Sequence, residues 1–436
     1  METALEISTY QIIVGVIMII VFMAAILSKK MSALTALVTI PILGGLAAGF
    51  GTETFVFAMK GIMEVDTTIA MLAFAIAYFG IMLGTGLFDP LTGFVLRLMR
   101  GDPLRVLVGT AILSTLLSLD GDGTTTIMIA CAALLPVYNK LGISRIWLAI
   151  FVIMPNGAIN LLPWGGPTAR LLAVLPVDSN ELLVKLIPLI LSGVVCSVVI
   201  AFFVGLQERK RLGIVDVAFE EHRRELDVDE LALRRPKLVW FNLVLTIVVL
   251  LAIIAVGIPG PLVFAFGAAI ALVVNYHDLK LERKAVGSTA DALVHVILMI
   301  LGAGILLGVL SESGLAAAMA DRLISVIPTS WGPAFNFVLA LVSAPAVWIM
   351  NNDAFYFGAF PVLAETASQY GFSQMQIAIA SLPGQALRGF SPVIPSLYFL
   401  AAYVKIEFSD FQKKIIPFCF ICFAVQLGAA ALVGAF

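Results

Sequence analysis

Ser118-Leu119-Asp120-Gly121-Asp122-Gly123-Thr124-Thr125-Thr126 sets two carboxylates, two glycines and a run of hydroxyls between two apolar segments. Its surroundings decide how it reads. Apolar residues make up 61% of the 436 and charged residues 12%, with a mean hydropathy of +1.06. Long continuous apolar runs of this kind belong to a polytopic helical membrane protein, and they exclude an ordinary globular domain and a β-barrel. An aspartate at bilayer depth costs about 2.5–3.5 kcal/mol on insertion scales, so it persists mainly where it does work. Glycines and small hydroxyl residues let the backbone leave helical geometry and offer its own polar groups to a ligand. At that depth irregular backbone is tolerated only when buried in protein or lining a water-filled cavity. The stretch therefore reads as half of a transport site.

Its flanks, 104–119 and 124–138, hold 16 and 15 residues. At about 1.5 Å per residue they reach about 24 and 22 Å, short of a hydrocarbon core of about 30 Å. A re-entrant hairpin over 104–138 is expected, with the polar stretch at its tip. The runs 334–350 and 354–364, around Asn351-Asn352-Asp353, read as a second hairpin over 334–364. Two complete spans at each place are the alternative.

Farther out, the chain repeats itself. Gly80-Ile-Met-Leu-Gly84 returns as Gly304-Ile-Leu-Leu-Gly308, and Asp122, Gly142 and Pro155 find counterparts in Asp353, Gly371 and Pro383. Each half, 1–206 and 237–436, holds five spans and one hairpin. Five is odd, so the halves are expected to lie in the membrane with opposite topology. Inverted repeats with broken helices meeting near the midplane build many secondary transporters. The fold class is thus all-α and polytopic, with about ten spans and two opposed hairpins.

Charge orients it. With the N-terminus outside, all but five of the 26 basic residues face the cytoplasm, a strong inside bias. Lys60, Lys185 and Arg322 lie outside, and Arg170 and Arg388 fall within spans. Both termini are then outside. Between the halves, 207–236 carries fifteen charges of both signs among thirty residues and reads as a solvated cytoplasmic linker, partly helical. The start, METALEISTY, has no basic region, so the first run is expected to be a retained span. Cys419 and Cys422 have metal-ligand spacing but lack a second pair, so they read as packing, as do Cys131 and Cys196. His295, within a span, reads first as a hydrogen-bonded packing residue and second as a proton relay.

Two long runs break at 155–170 and at 383–396, where prolines and glycines cluster. A broken span frees helix ends, and N-terminal ends carry amide hydrogens and partial positive charge suited to carboxylates. Candidate substrate-binding residues come from all four clusters. The first tip offers Ser118, Gly121, Gly123, Thr124 and Thr125. The first break offers Asn156, Asn160, Gly165, Gly166, Thr168 and Arg170. The second tip gives Asn351 and Asn352, and the second break gives Gln385, Arg388, Ser391 and Ser396. Arg388 has two readings, a substrate contact or an ion pair with Asp353. No residue set points to catalysis.

LDGDGTTT at 119–126, PWGGPTAR at 163–170, NDAFYFG at 352–358 and SPVIPSLYFL at 391–400 resemble the bacterial citrate–metal–proton symporter family. The resemblance covers the whole chain. It implies proton-coupled uptake of citrate complexed to a divalent cation of the magnesium or calcium type, with no permanent cofactor. The bacterial cytoplasmic membrane, a homodimer and no nucleic-acid partner are expected. Two positions depart from the pattern. Asn351 stands where a serine usually precedes Asn-Asp, and Arg388 stands where a histidine is expected, which leaves metal-citrate and another carboxylate both open.

Electrostatics sets the coupling expectation. Asp120 and Asp122 beside a polycarboxylate repel it by several kcal/mol at an effective dielectric near 20, so a cation must intervene. A proton on one aspartate is one candidate, with Asp120, Asp122 and Asp353 as coupling residues. The other is a divalent ion carried with the substrate and touching Asp120 and Asp122. Sodium coupling is the alternative, a channel a further one, and an intramembrane aspartyl enzyme a remote one.

Overall fold

The computed structural model describes residues 7–28, 30–99, 101–121, 123–214, 228–327 and 329–436. Among them every regular element is helical, as apolar chain must be where no water can satisfy the backbone. The first half runs α1 (Thr9–Leu27), α2 (Ala33–Ala47), α3 (Glu53–Glu64), α4 (Asp66–Thr85), α5 (Asp89–Met99), α6 (Pro103–Leu117), α7 (Gly123–Leu141), α8 (Arg145–Ile159), α9 (Gly166–Leu172) and α10 (Ser179–Leu212). A short α11 (Val228–Leu233) follows. The second half runs α12 (Val239–Ile254), α13 (Gly260–Asn275), α14 (Leu279–Gly287), α15 (Ala290–Ser311), α16 (Leu315–Val326), α17 (Phe335–Ile349), α18 (Phe360–Gln369), α19 (Gln374–Ser381), α20 (Pro395–Val404) and α21 (Phe408–Leu432). Ten α-helices on one side of α11 are followed by ten on the other.

Nine of the described helical segments are long and apolar enough to cross a membrane, and α2, α8 and α13 are shorter apolar helices. The chain is a multi-pass membrane protein. Two differences from the hydropathy reading stand out. The apolar run 124–138 understates α7, which continues through Tyr138 to Leu141. Likewise α10 does not stop at 206. It carries Gln207 to Leu212 out of the apolar run, because long-stemmed charged residues are good helix formers, and Gly213 at φ +75° ends it. Of the linker, 215–227 lies outside the described residues.

Packing sorts the helices into two bodies. In one, α2, α3 and α4 pack with α13 and α15. Small residues allow the closest approach: a Cβ at Gly61 would lie 2.1 Å from the Gly304 carbonyl oxygen. Asn242 and Asn275 exchange side-chain hydrogen bonds of 2.9 and 2.8 Å, and Asn242 also donates to Thr85, which ties α12 and α13 to α4. The other body holds α6 to α10 with α17 to α21.

Contacts along α10 and α21 fix the direction of everything in that second body. Cys196 Sγ lies 3.2 Å from Cys422 Sγ, and a Cβ at Gly193 would meet Gln426, so the two helices run antiparallel. The root of α6 sits at the far end of α10, where Leu104 packs on Gly205 and Asp102 pairs with Arg209. At the tip, Ser118 Oγ accepts from Asn156 Nδ2 at 3.0 Å, and Ala158, half a turn on, touches Gly193. Gly193 lies near the middle of α10, so about 20 Å of that helix extends beyond the tip. The root of α17 sits at the end of the chain, with Asn336 donating to the Ala435 carbonyl and Phe337 5.3 Å from Phe436. Its tip end reaches Phe390 through Trp348, and Phe390 meets Phe420 at the middle of α21.

Candidate functional site

Each broken span is closed locally by its own side chains. In α8, Pro155 weakens the last turn, and the helix ends at Asn160. The Asn160 Oδ1 then accepts the Gly166 amide at 2.9 Å, while Thr168 donates to the Leu161 carbonyl at 2.8 Å. The chain folds back so tightly that a Cβ at Gly165 would lie 2.1 Å from the Asn160 carbonyl oxygen. Pro167 then opens α9. In the second break, α19 gives way to a 3-10 segment over Pro383–Phe390, and α20 restarts at Pro395 with no side-chain cap on its first amides. Gly384 presses on Ser343 and Ala344 of α17, where a Cβ would come within 2.4 Å of Ser343 Oγ.

The two tips are built differently. After Asp120 the chain turns through Gly121 at φ +81°, a conformation natural to glycine. Trp164 lies beneath it, donating its indole N–H to the Leu119 carbonyl at 2.8 Å and stacking on Phe79. Trp164 is therefore a buried clamp. At the second tip, Asn351 Oδ1 accepts the Ala354 amide at 2.8 Å and starts the following π-helical turn, Ala354–Ala359. Asp353 forms an ion pair with Arg170 Nε, and Arg170 also donates to the Gly166 carbonyl at 2.8 Å. Of the two readings of Arg388, the ion pair with Asp353 is not formed, because Asp353 pairs with Arg170. Phe355, Tyr356 and Phe357 are fully buried, and the Tyr356 hydroxyl receives Gln385 Nε2 at 3.3 Å.

A cavity of about 230 Å³ lies where the first tip meets both breaks. Gly121, Gly123 and Thr124 line it from the tip, with Asn156, Asn160 and Gly166 from the first break. Gln385, Arg388 and Ser396 complete it from the second break. Among the described residues Arg388 makes no hydrogen bond or salt bridge, and it lines this cavity. A larger cavity, about 1080 Å³, reaches Asp120, Gly121, Thr125, Gly166 and Arg170 from the side of Arg97 and Arg234. His295 lines this second space as an exposed side chain, which corrects its reading as a packing histidine.

The remaining candidates among the described residues line neither cavity. Ser118, Gly165, Thr168 and Ser391 are spent on the scaffold, Ser391 by donating to the Trp348 carbonyl at 2.7 Å. Asn351 caps a turn, Asn352 is buried, and Asp353 is paired. Asp122 lies outside the described residues. Hydropathy missed Gln426, which lines the smaller cavity from α21 beside Gly193, Cys419 and Cys422. A single amide in the apolar stretch of α21 that follows Lys414 was the available signal. All four cysteines are free and buried, as expected of packing residues.

The profile of the citrate transporter family (CitMHS) matches residues 17–384. The citrate transporter of Bacillus subtilis (strain 168) is 43% identical over 422 residues, covering 97% of this chain and 98% of that protein. The Mg(2+)/citrate complex secondary transporter of the same organism is 40% identical over 425 residues, with the same coverage. Among solved structures, the Alcanivorax borkumensis YdaH transporter, described as having an unusual topology, aligns with a TM-score of 0.60. That alignment covers 98% of both chains at 13% identity, which is a likeness of fold alone.

Proposed function

The chain belongs to the citrate transporter family, and from that premise we propose that it imports citrate or a related di- or tricarboxylate, as a divalent-metal complex, by proton symport. It is a transporter-family protein and not an enzyme, which removes the aspartyl-enzyme alternative. One observation carries the substrate reading. The smaller cavity joins the first tip to both breaks, and in it Arg388 offers an unengaged planar fork beside neutral amides and glycine backbone.

The metal travels as part of the substrate. Among the described residues no group of three or more His, Cys, Asp or Glu could hold an ion, so carboxylates of the substrate would supply most of its oxygen ligands. Complexation by a divalent ion reduces a citrate trianion to a single net charge, which lessens repulsion from Asp120 and Asp122. A proton on one of these aspartates removes more of it.

Alternating access uses the two bodies as moving parts. The helices of 1–206 and 237–436 form inverted repeats, and both hairpins are re-entrant. Their tips lie level with the middles of α10 and α21, and those helices run antiparallel, which supports entry from opposite faces. The larger cavity, running from Arg97 and Arg234 to Asp120, supports an inward-open state. Ala435 and Phe436 meet the start of α17, and the charge bias supports that face being outside, with both termini there.

Uptake of labelled carboxylates into proteoliposomes tests the reading. Accumulation should require both a divalent cation and an inward proton gradient. Uptake that follows sodium and ignores pH and divalent cations would replace the coupling mechanism with the sodium alternative.

A further inference from the structure

The substrate cavity extends beyond the two breaks to α21. Cys419 faces Gly389, one residue from Arg388, and Gln426 faces Gly193 seven residues farther along the same helix. Seven residues rise about 10 Å, so the space runs from a cation at one level to an amide at another. Gln385 and Gln426 both line it, and each is 2% exposed. The Oε1 atoms of both are buried without a hydrogen-bond partner. Gln385 spends its Nε2 on Tyr356, so its carbonyl oxygen is the group left over.

A polycarboxylate cannot satisfy these atoms. Carboxylate oxygens only accept hydrogen bonds, and an amide carbonyl oxygen only accepts. An unpartnered buried acceptor is destabilising, so the carbonyl of Gln426 calls for a donor. Resting on the carboxylate reading above, we propose that Gln426 reads a hydroxyl group of the substrate. The site then selects hydroxy-tricarboxylates over their deoxy analogues, and Gln426 is a specificity-determining contact. Arg388 holds a carboxylate at one level, and the ligand hydroxyl donates to the amide carbonyl at the other.

The test compares citrate with propane-1,2,3-tricarboxylate, which lacks only the hydroxyl, on detergent-solubilised full-length protein with both compounds saturated with the same divalent ion. A site that hydrogen-bonds a hydroxyl rejects the analogue lacking it. Wild type should bind citrate at least 10-fold more tightly. Gln426→Met keeps the length of the side chain and removes its hydrogen bonding, so the preference should fall below 3-fold while Tm without ligand holds or rises. A preference unchanged in folded Gln426→Met overturns the proposal. So does a changed ranking of magnesium, calcium and manganese with the hydroxyl preference intact, since that would place the cation on these carbonyls. If Gln426→Met does not fold, Gln426→Asn, which withdraws the amide by one methylene, must show the same loss of preference. Wild type that binds both compounds equally overturns only this inference. Wild type that binds neither overturns the carboxylate reading as well.

Discussion

The two hairpin tips hold corresponding places in the order of helices, yet they are built for opposite ends. The first is open and glycine-rich. Gly121 takes a left-handed conformation, and a Cβ there would lie 3.0 Å from the Trp164 carbonyl oxygen, so neither strain nor space admits a side chain. Its residues line both cavities. The second is closed. Three consecutive aromatic residues are buried behind it, Asn351 caps it, and Asp353 is bound to Arg170 across the two halves of the chain. One tip borders open space, and the other ties two halves of the chain together. Repetition of sequence order does not enforce repetition of role.

The largest expected effect would break this contrast at the first tip. Asp122→Asn mimics a protonated carboxyl. It should abolish accumulation driven by an inward proton gradient and retain exchange of labelled for unlabelled substrate across the membrane. Accumulation at the wild-type level would show that the first tip carries no coupling proton. Arg388 comes next. Replacing its fork with the point charge of lysine removes one charge-assisted hydrogen bond, about 1.5–3 kcal/mol, so Arg388→Lys should raise Kd about 10- to 100-fold. Thermal melting should be unchanged. Unaltered affinity with a lowered Tm would mean that Arg388 is structural.

At the second tip the contrast sharpens through a charge exchange. If Asp353 is a tie to Arg170, either single reversal, Arg170→Asp or Asp353→Arg, should lower initial uptake at least 10-fold. The double exchange should recover most of it, because contacting residues are not additive. If Asp353 instead carries a coupling proton, the double exchange recovers nothing, and the second tip joins the first in the chemistry.

Much of the architecture was legible because hydropathy, glycine and proline are local signals. The polar interruptions at 118–126, 155–170, 351–353 and 383–396 each contain a point where the α-helix gives way. What stayed hidden was partnership. Nothing in the order of residues says that Asp353 meets Arg170, 183 positions away, and not Arg388. Arm length was also a poor guide to the first hairpin, since α7 runs 19 residues. The level of its tip against α10 is the better argument, and it exists only in three dimensions. Gln426 was visible as a polar letter in an apolar run, but its significance depends on the cavity it faces.

The hairpin roots repeat the contrast in miniature and give the smallest prediction. The first root is ionic: buried Asp102 accepts Arg209 Nε at 2.8 Å and the Leu104 amide at 3.0 Å, with Arg105 at 3.4 Å. The second is neutral, Asn336 on the Ala435 carbonyl. Burial raises the pKa of Asp102, but the hydrogen bonds from Arg209 and Leu104 and the charges of Arg209 and Arg105 outweigh it and hold the carboxyl below its usual range. A depressed carboxylate stabilises the fold above its unfolded pKa of about 3.9, and that contribution fades as pH falls through the lower, folded value. Asp102→Asn should therefore cost at most about 1–2 kcal/mol at pH 7, discounted because Arg209 and Arg105 are partly exposed, with KM unchanged. The gap between variant and wild type should stay constant from pH 7 to pH 5 and close only in stronger acid. A gap that already shrinks between pH 7 and pH 6 would mean that the root titrates with the coupling groups, and the separation between holding and binding elements would fail there first.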